Sequence, residues 1–177
     1  MKLSKIDPGS ADALNVIIEI PYGTHIKYEV DHKNGLLSVD RIMHSAMFYP
    51  ANYGYVPNTL AKDGDPLDVL VLNEYAIYPG ALIKCRVIGV LMMEDESGMD
   101  EKVLAMPVAK IDPNLAHIKS MKDLSDHRLA MIKNFFETYK MLEPNKWVKV
   151  GEYEGADKAA AILEDCIKAH KAQKSDA

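Results

Sequence analysis

The chain has 177 residues, of which 48% are hydrophobic, and acidic residues outnumber basic ones by 26 to 21. This length and composition predict one domain, residues 1–177, with a substantial core. The acidic balance argues against a nucleic-acid binder, whose affinity depends on neutralising phosphates with Lys and Arg. No apolar run of about twenty residues and no apolar leader is present, so we expect no membrane association and a cytoplasmic location.

Short runs of branched apolar residues alternate with turn signals from about residue 15 to residue 108, which is typical of strands. The Asn34-Gly35 pair indicates a hairpin. The run FYPANYGY, residues 48–55, is too irregular for a simple strand and too rich in tyrosine for a plain loop. The close spacing of the strands predicts a small β-barrel. The predicted strands are NVIIEI, HIKYEVD, GLLSVDRI, LDVLVL, ALIKCRVIGVLMM and KVLAMPVA.

The C-terminal third changes to helical periodicity. Apolar residues recur at helical spacing between positions 129 and 139, with Ser125 or Asp126 as the N-cap. A short strand at WVKV follows, and a second helix is predicted from about residue 157 to residue 170. The fold is therefore predicted to be mainly β with flanking helices (α+β), a small barrel plus two C-terminal α-helices.

Cysteine and histidine indicate no metal site. Cys85 and Cys166 are far apart, follow no metal-ligand or redox spacing and lie in apolar surroundings, so we expect two buried thiols. The six histidines show no HxH or HxxxH spacing. Any metal site should therefore be built from oxygen ligands.

The segment DGDPLD contains three carboxylates in six residues, Asp63, Asp65 and Asp68, directly before a hydrophobic strand. Gly and Pro force an irregular backbone there, so that the three side chains can converge. Carboxylates suit Mg²⁺ or Mn²⁺ better than zinc, which favours His and Cys. A solvated turn is the alternative. A helix-loop-helix calcium site is excluded, because Asp68 stands where that motif requires glycine.

A second acidic cluster, residues 94–102, lies between two predicted strands and contains a Ser-Gly turn signal. By itself such a loop is more often exposed and solvated. If the barrel brings the two clusters together, their combined negative charge exceeds what one metal ion would neutralise. Several cations and a polyanionic substrate would then be implied.

A polyanion also requires fixed cations. Lys27 alternates with apolar residues in one predicted strand, and Arg41 ends another, so either a solvated strand face or a binding role fits them. Lys140 follows Tyr139 near the end of the first helix, where a cation that only stabilises the helix terminus is common.

These motifs together resemble a soluble family I inorganic pyrophosphatase of bacterial type. The resemblance covers nearly the whole chain, and DGDPLD before a hydrophobic strand is its most specific part. It implies a five-stranded, OB-like barrel and Mg²⁺-dependent hydrolysis of pyrophosphate to two orthophosphates. It also implies a homohexamer. The matching segments are IEIP, IKYE, VDR, MFYPANYGY, DGDPLDVLV, DESGMDEK, FFETYK and KWVKV.

The resemblance also implies metal ligands and a base. Asp63, Asp68 and Asp100 match the ligands of the first activating metal, and Asp68 also helps to hold the second. Asp95 and Asp100 match ligands of a metal that arrives with the substrate. Asp65 matches the catalytic carboxylate that orients or deprotonates the attacking water.

Further residues match supporting positions of the family. Glu29 is assigned to the metal set through water-mediated contact, while Glu19, Tyr49 and Glu96 match an outer shell. The phosphate-binding set implied by the resemblance is Lys27, Arg41, Tyr53, Lys102, Tyr139 and Lys140.

Two other functions remain open at this point. An OB-type module that binds single-stranded nucleic acid also combines aromatic residues and lysines on one face. The two acidic clusters argue against a nucleic-acid module, because they would repel a phosphate backbone. A nucleotide-cleaving phosphohydrolase is the second alternative, although neither a GxxxxGK[ST] loop nor a glutamate-rich helical metal motif is present.

Overall fold

The computed structural model describes residues 5–31 and 34–175, which form ten strands and two α-helices. Two short 3-10 turns, Pro113–Leu115 and Met121–Asp123, precede the first helix. The strands are β1 (Gly9–Ser10), β2 (Ala13–Ile20), β3 (Ile26–Val30), β4 (Leu37–Ile42), β5 (Asn52–Tyr55), β6 (Asp68–Val71), β7 (Leu82–Asp95), β8 (Gly98–Met99), β9 (Lys102–Pro107) and β10 (Val148–Gly155). The helices are α1 (Asp126–Thr138) and α2 (Ala156–Ser175).

Five strands close into a barrel. They pair in the order β2, β5, β6, β9 and β7, and β7 returns to pair with β2. Only β6 and β9 are parallel; the other pairs of the ring are antiparallel. The predicted five-stranded barrel is thereby confirmed, as is the mainly β class with two C-terminal helices. The single-domain organisation stays a prediction.

Strand β5 corrects the interpretation of FYPANYGY. Its second half is a strand that completes the ring, with Gly54 opposite Ile18 of β2 and Val69 of β6, and its register against β2 shifts between Ile18 and Ile20. A Cβ atom at Gly54 would stand 2.0 Å from the carbonyl oxygen of Ile17. Glycine lets the two strands approach here, which explains why the segment lacks the β-branched residues that usually indicate a strand.

The two faces of the barrel strands pack against different helices, because side chains alternate along a strand. Val69 and Val71 of β6 belong to a core shared with Leu163 of α2. Leu70, one position along, belongs to a core shared with Phe136 of α1. The two helices thus contribute to two separate hydrophobic clusters, one on each face of the barrel strands.

Both helices occur where periodicity placed them. The side chain of Ser125 accepts a hydrogen bond from the backbone N–H of Arg128, so Ser125 and not Asp126 is the N-cap of α1. Helix α2 continues five residues beyond the predicted end at His170. No described helix has the length and apolar content needed to cross a membrane. Both cysteines are free and buried, as expected.

Strands β3 and β4 form a separate hairpin beside the barrel, and its loop contains the Asn34-Gly35 pair. Gly35 has a φ of +73°, which favours glycine, and its N–H donates to the carbonyl oxygen of Asp31. An irregularity in register falls between Lys27 and Tyr28. The hairpin carries Lys27 and Arg41 as paired residues toward the mouth of the site.

Candidate active site

The parallel pairing of β6 with β9 brings the two acidic clusters together. In this pair Val69 lies beside Val103, so Asp68 and Lys102 stand at neighbouring strand starts. The DGDPLD segment enters β6 and the second acidic cluster enters β9 from the same edge of the sheet. The pairing of β6 with β9 in the barrel therefore brings together two acidic clusters that are far apart in the sequence.

A cavity of about 220 Å³ opens at this edge, and a smaller one of about 140 Å³ adjoins it. All the predicted site residues line one or the other. Glu19 and Glu29 line the smaller cavity. The larger one is lined by Lys27, Arg41, Tyr49, Tyr53, Asp63, Asp65, Asp68, Asp95, Glu96, Asp100, Lys102, Tyr139 and Lys140.

Lys102 is the central cation of the site. Its side chain is 2% exposed, and its ammonium donates to Asp68 at 2.5 Å and to Asp100. Burial alone would lower the pKa of Lys102, but the two carboxylates outweigh it and raise the pKa above its usual range. Lys102 is therefore charged at any physiological pH and offsets the repulsion between Asp68 and Asp100.

The acidic hairpin between β7 and β9 pairs with the segment after α1. Lys140 donates to Asp95 at 2.7 Å, and Lys146 donates to Glu96 at 2.5 Å. Partial burial would raise the pKa of Asp95, but the hydrogen bonds from Lys140 and from the N–H of Ser97, together with the charges of Lys140 and Lys102, outweigh it and lower the pKa. Asp95 is consequently ionised and available as an oxygen ligand at neutral pH.

Lys27 and Arg41 face the cavity as a cationic pair held by carboxylates. Asp40 accepts hydrogen bonds from Lys27 at 2.8 Å and from the Nε of Arg41 at 2.9 Å. The Nη1 of Arg41 donates to Glu143, a side chain that is 7% exposed. With both flanks of the guanidinium fixed, Arg41 presents a preset orientation to the cavity.

The DGDPLD loop is organised by its own backbone. The side chain of Asp63 accepts a hydrogen bond from the N–H of Asp65, and Gly64 between them has a φ of +95°. Burial, followed by the charges of Asp100 and Asp68, raises the pKa of Asp63 to about 6. Asp65 is exposed and reaches both cavities.

Three tyrosines form the apolar wall of the cavity. Tyr49 packs edge-on against Tyr53, and Tyr139 stacks on Phe135 of α1. Burial raises the pKa of Tyr49, Tyr53 and Tyr139 above its usual range, so their hydroxyls remain protonated. Protonated phenols can donate hydrogen bonds to phosphate oxygens.

Glu19 supports the site from the smaller cavity. Its carboxylate accepts a hydrogen bond from the N–H of Val30 at 2.8 Å, which ties β2 to the β3–β4 hairpin. Burial raises the pKa of Glu19 to about 8, and the charges of Asp68 and Glu29 act in the same direction. Any cation in the cavity would favour the ionised form of this group.

Sequence reasoning missed several polar residues of the site. Asp40 lies next to Arg41 in the VDR segment, and this adjacent opposite charge was the available signal. Glu143 and Lys146 line the cavity but lie in an irregular segment after α1, where no periodicity indicates which side chains turn inward.

The donor set fits a hard divalent cation. It consists of carboxylates without His or Cys, which is the chemistry that Mg²⁺ prefers. Within residues 5–31 and 34–175, no three carboxylate, His or Cys side chains are gathered as a ready cage. Lysine ammonium groups lie against Asp68, Asp95 and Asp100 instead. The pKa of Asp63 is raised mainly by burial and further by the charges of Asp100 and Asp68, and a bound cation would favour its ionised form.

Comparison with known proteins places this chain in a family. The family model described as inorganic pyrophosphatase matches residues 16–171. The chain belongs to the inorganic pyrophosphatase family. The inorganic pyrophosphatase of Campylobacter jejuni is 60% identical over 172 residues, which covers 97% of this chain and all of the relative. One from Helicobacter pylori is 54% identical and covers 97% of this chain and 99% of its own length.

Solved structures of the family share the fold. The inorganic pyrophosphatase of Helicobacter pylori superimposes with a TM-score of 0.92 at 54% identity, covering 94% of this chain and 99% of that one. The Thermus thermophilus inorganic pyrophosphatase gives 0.91 at 40% identity, covering 97% of this chain and 99% of that one. The resemblance to the pyrophosphatase family, the OB-like fold and the prediction that the chain is an enzyme of the inorganic diphosphatase class are confirmed. The residue roles and the cytoplasmic location stay predictions.

Proposed function

We propose that this enzyme hydrolyses inorganic pyrophosphate to two orthophosphates with the help of several Mg²⁺ ions, for which Mn²⁺ can substitute. The observation that carries this proposal is the convergence of both acidic clusters and a set of fixed cations on one cavity of about 220 Å³. Acidic groups alone would repel a polyanion, and cations alone would not recruit metals. Family membership supports the same substrate.

The metal-holding role belongs to the carboxylates. Asp63, Asp68 and Asp100 would hold the first ions, and Asp95 would join Asp100 in holding an ion that arrives with the substrate. Glu29 would act through water from the adjoining cavity. When bound, such ions lower the pKa of a coordinated water toward neutrality and neutralise charge on the phosphates.

Asp65 is proposed as the general base. It is the exposed carboxylate of the loop, it reaches both cavities, and no described cation lies within ion-pair distance of it. Asp65 would accept the proton of the attacking water while that water attacks one phosphorus in line with the departing phosphate. No covalent phosphoenzyme is required.

The cations would bind the phosphates. Lys27 and Arg41 line the cavity from the β3–β4 hairpin, and Lys140 lines it from the segment after α1. Tyr53 and Tyr139 would donate hydrogen bonds from their protonated hydroxyls. Since the leaving group is itself a phosphate, we expect this electrostatic stabilisation to outweigh acid catalysis by any single side chain.

The decisive assay measures phosphate released from pyrophosphate with Mg²⁺ and with a chelator. Asp65→Asn should lower kcat by roughly 10²- to 10⁴-fold while the protein stays folded. Asp165→Asn on α2, a carboxylate that is 81% exposed and lies outside the cavity, is the matched control and should leave kcat unchanged. Absence of Mg²⁺-dependent release by the folded wild-type protein would contradict the proposal.

Two arms of the same assay address the alternatives. ATP offered in place of pyrophosphate distinguishes a nucleotide-cleaving enzyme, which would prefer ATP. Retention on single-stranded DNA in chelator distinguishes a nucleic-acid module, which the carboxylates around Lys102 should prevent.

We also propose that the chain assembles as a homohexamer. Exposed apolar side chains such as Phe48 and Met131, which are 60% and 49% exposed, support an assembly that buries them. Light scattering measures the mass directly, and a monomer at micromolar concentration would contradict this assignment.

A further inference from the structure

The cavity has two acidic loops, the first before β6 with the DGDPLD segment and the second before β9. They meet where two negatively charged side chains face each other. Asp63 belongs to the first loop and Asp100 to the second, and they lie close enough for their charges to interact. Such a pair pushes the loops apart unless something else holds them. The ammonium of Lys102 holds Asp100 and Asp68, but it makes no ion pair with Asp63.

An ion pair lies immediately beside this repelling pair. Lys62 precedes Asp63 in the first loop, and Glu101 follows Asp100 in the second. The Nζ of Lys62 is 3.8 Å from Oε1 of Glu101. At these positions, each one residue away from an aspartate of the repelling pair, the two loops therefore carry opposite charges and attract each other.

The burial of Glu101 makes this pair unlike an ordinary surface contact. Its side chain is 4% exposed, whereas that of Lys62 is 74% exposed. Successive residues of an extended segment point in opposite directions, so Glu101 turns away from the cavity, toward Cys166 of α2. Across the part of the chain that the structure describes, Lys62 is the one cation within ion-pair distance of Glu101.

The first loop is tied to α2 as well. The N–H of Leu60 donates to the carbonyl oxygen of Cys166 at 3.0 Å, and the N–H of Ala61 donates to that of Asp65 at 2.7 Å. The first bond fixes the start of the loop against the helix, and the second closes the loop on itself. The Lys62–Glu101 contact is then a second side-chain link between the two acidic loops, beside the ion pair of Lys102 with Asp68.

We infer that Lys62 and Glu101 are positioning residues, whose ion pair holds Asp63 near Asp100 so that one divalent cation can contact both. The inference rests on the proposed function, since it assigns both aspartates to metal binding. Neither Lys62 nor Glu101 would touch the metal or the substrate. Their effect would be to lower the cost of bringing two carboxylates together before the ion arrives.

The test is direct binding of Mg²⁺, measured by calorimetry on the wild-type protein and on Lys62→Met. Coulomb attraction alone predicts tighter binding by the variant, because a positive charge near the site is lost. Positioning predicts the opposite, a weakening of roughly three- to tenfold, in the lower range of couplings between contacting residues. Lys62→Arg keeps the charge and should restore binding to within about twofold.

A matched control is available on α2. Lys168 is 72% exposed and lies 3.9 Å from both Glu164 and Asp165, so Lys168→Met removes a lysine of similar exposure whose carboxylate partners are themselves exposed and lie away from the site. It should leave Mg²⁺ binding unchanged. Thermal unfolding in chelator measures the stability lost by each Met variant, and weaker Mg²⁺ binding by Lys62→Met at a temperature where that variant is fully folded separates positioning from general destabilisation.

A double-mutant cycle completes the test. If the two residues act through each other, Lys62→Met combined with Glu101→Gln should bind Mg²⁺ no more weakly than the worse single variant. Unchanged or tighter binding by Lys62→Met, or additive losses in the double variant, would overturn the inference. A wild-type protein that neither binds Mg²⁺ nor hydrolyses pyrophosphate would instead contradict the proposed function.

Discussion

The ammonium of Lys102 lies 2.5 Å from the carboxylate of Asp68, and the lysine side chain is 2% exposed. The two residues are 34 positions apart in sequence and are brought together by the parallel pairing of β6 with β9. A buried ammonium is tolerated only when its charge is matched, and here Asp100 supplies the second partner. The site thus stays organised around an internal cation.

We predict that Lys102→Met destabilises the metal-free protein by about 3 kcal/mol, because two carboxylates are left facing each other without their cation. Urea unfolding in chelator measures the loss. Saturating Mg²⁺ should recover most of it, since a divalent ion can replace the lost charge. Lys133→Met, which breaks an exposed ion pair with Glu152, should cost less than about 1 kcal/mol. Equal losses in the two variants would contradict the prediction.

We predict that Arg41→Lys lowers kcat/KM for pyrophosphate by roughly 10- to 100-fold, mainly through a higher KM. The guanidinium contacts Asp40 and Glu143 with different nitrogen atoms, whereas a lysine ammonium cannot keep both contacts in one plane. Steady-state kinetics in saturating Mg²⁺ measures the change. Arg128→Lys on α1, outside the cavity, is the control. An unchanged KM would show that charge alone suffices at position 41.

We predict that the stability of the metal-free protein falls as pH rises from about 6.5 to 8, by about 1 to 2 kcal/mol. The pKa of Glu19 is about 8 in the folded state, against 4.5 for the ordinary group. Between these values the folded state keeps a proton that the unfolded state has lost, so raising the pH favours unfolding. Chemical unfolding at several pH values in chelator measures this slope.

The control for that slope is Glu19→Gln. The amide oxygen can still accept the hydrogen bond from the N–H of Val30, but the side chain no longer titrates. Stability of the variant should therefore stay nearly constant between pH 6.5 and 8. A slope equal to that of the wild-type protein would assign the titration to another group.

We predict that Thr59→Val destabilises the protein by about 1 to 3 kcal/mol without changing the shape of the side chain. Thr59 is 3% exposed; its hydroxyl donates to the carbonyl oxygen of Val56 and accepts from the N–H of Leu67, at the two ends of the metal-site loop. The variant leaves the N–H of Leu67 buried without its acceptor. Thermal unfolding measures the loss.

Thr138→Val is the matched control for Thr59→Val. The Thr138 hydroxyl donates to the carbonyl oxygen of Asn134, one turn back in α1, and that carbonyl belongs to the helix in any case. Its replacement should change stability by less than about 0.5 kcal/mol. If both variants lose the same stability, the hydrogen bonds of Thr59 stabilise the protein no more than that of an ordinary helix hydroxyl, and the prediction is wrong.

Most of the fold, and many of the residues that line the cavity, could be predicted from the sequence for local reasons, while their catalytic and binding roles stay predictions. Period-two and helical patterns located the long strands and both helices, because burial imposes those periods on the residues themselves. Strand β5 was missed because a glycine at position 54 is required by the close approach of Ile17. That contact comes from a distant part of the chain, and no local sequence pattern indicates it. The acidic and cationic residues were found through short motifs and through resemblance to the family.

The sequence by itself determined that DGDPLD is an oxygen-rich segment at the start of a strand, and that a second acidic loop and several cations are available. Only the tertiary structure decided which of these charges meet. Pairing between Lys102 and Asp68, between Lys140 and Asp95, and between Lys62 and Glu101 follows from barrel closure and strand register. The attraction between two charged side chains depends on the distance between them in the folded protein, and the linear sequence does not give that distance.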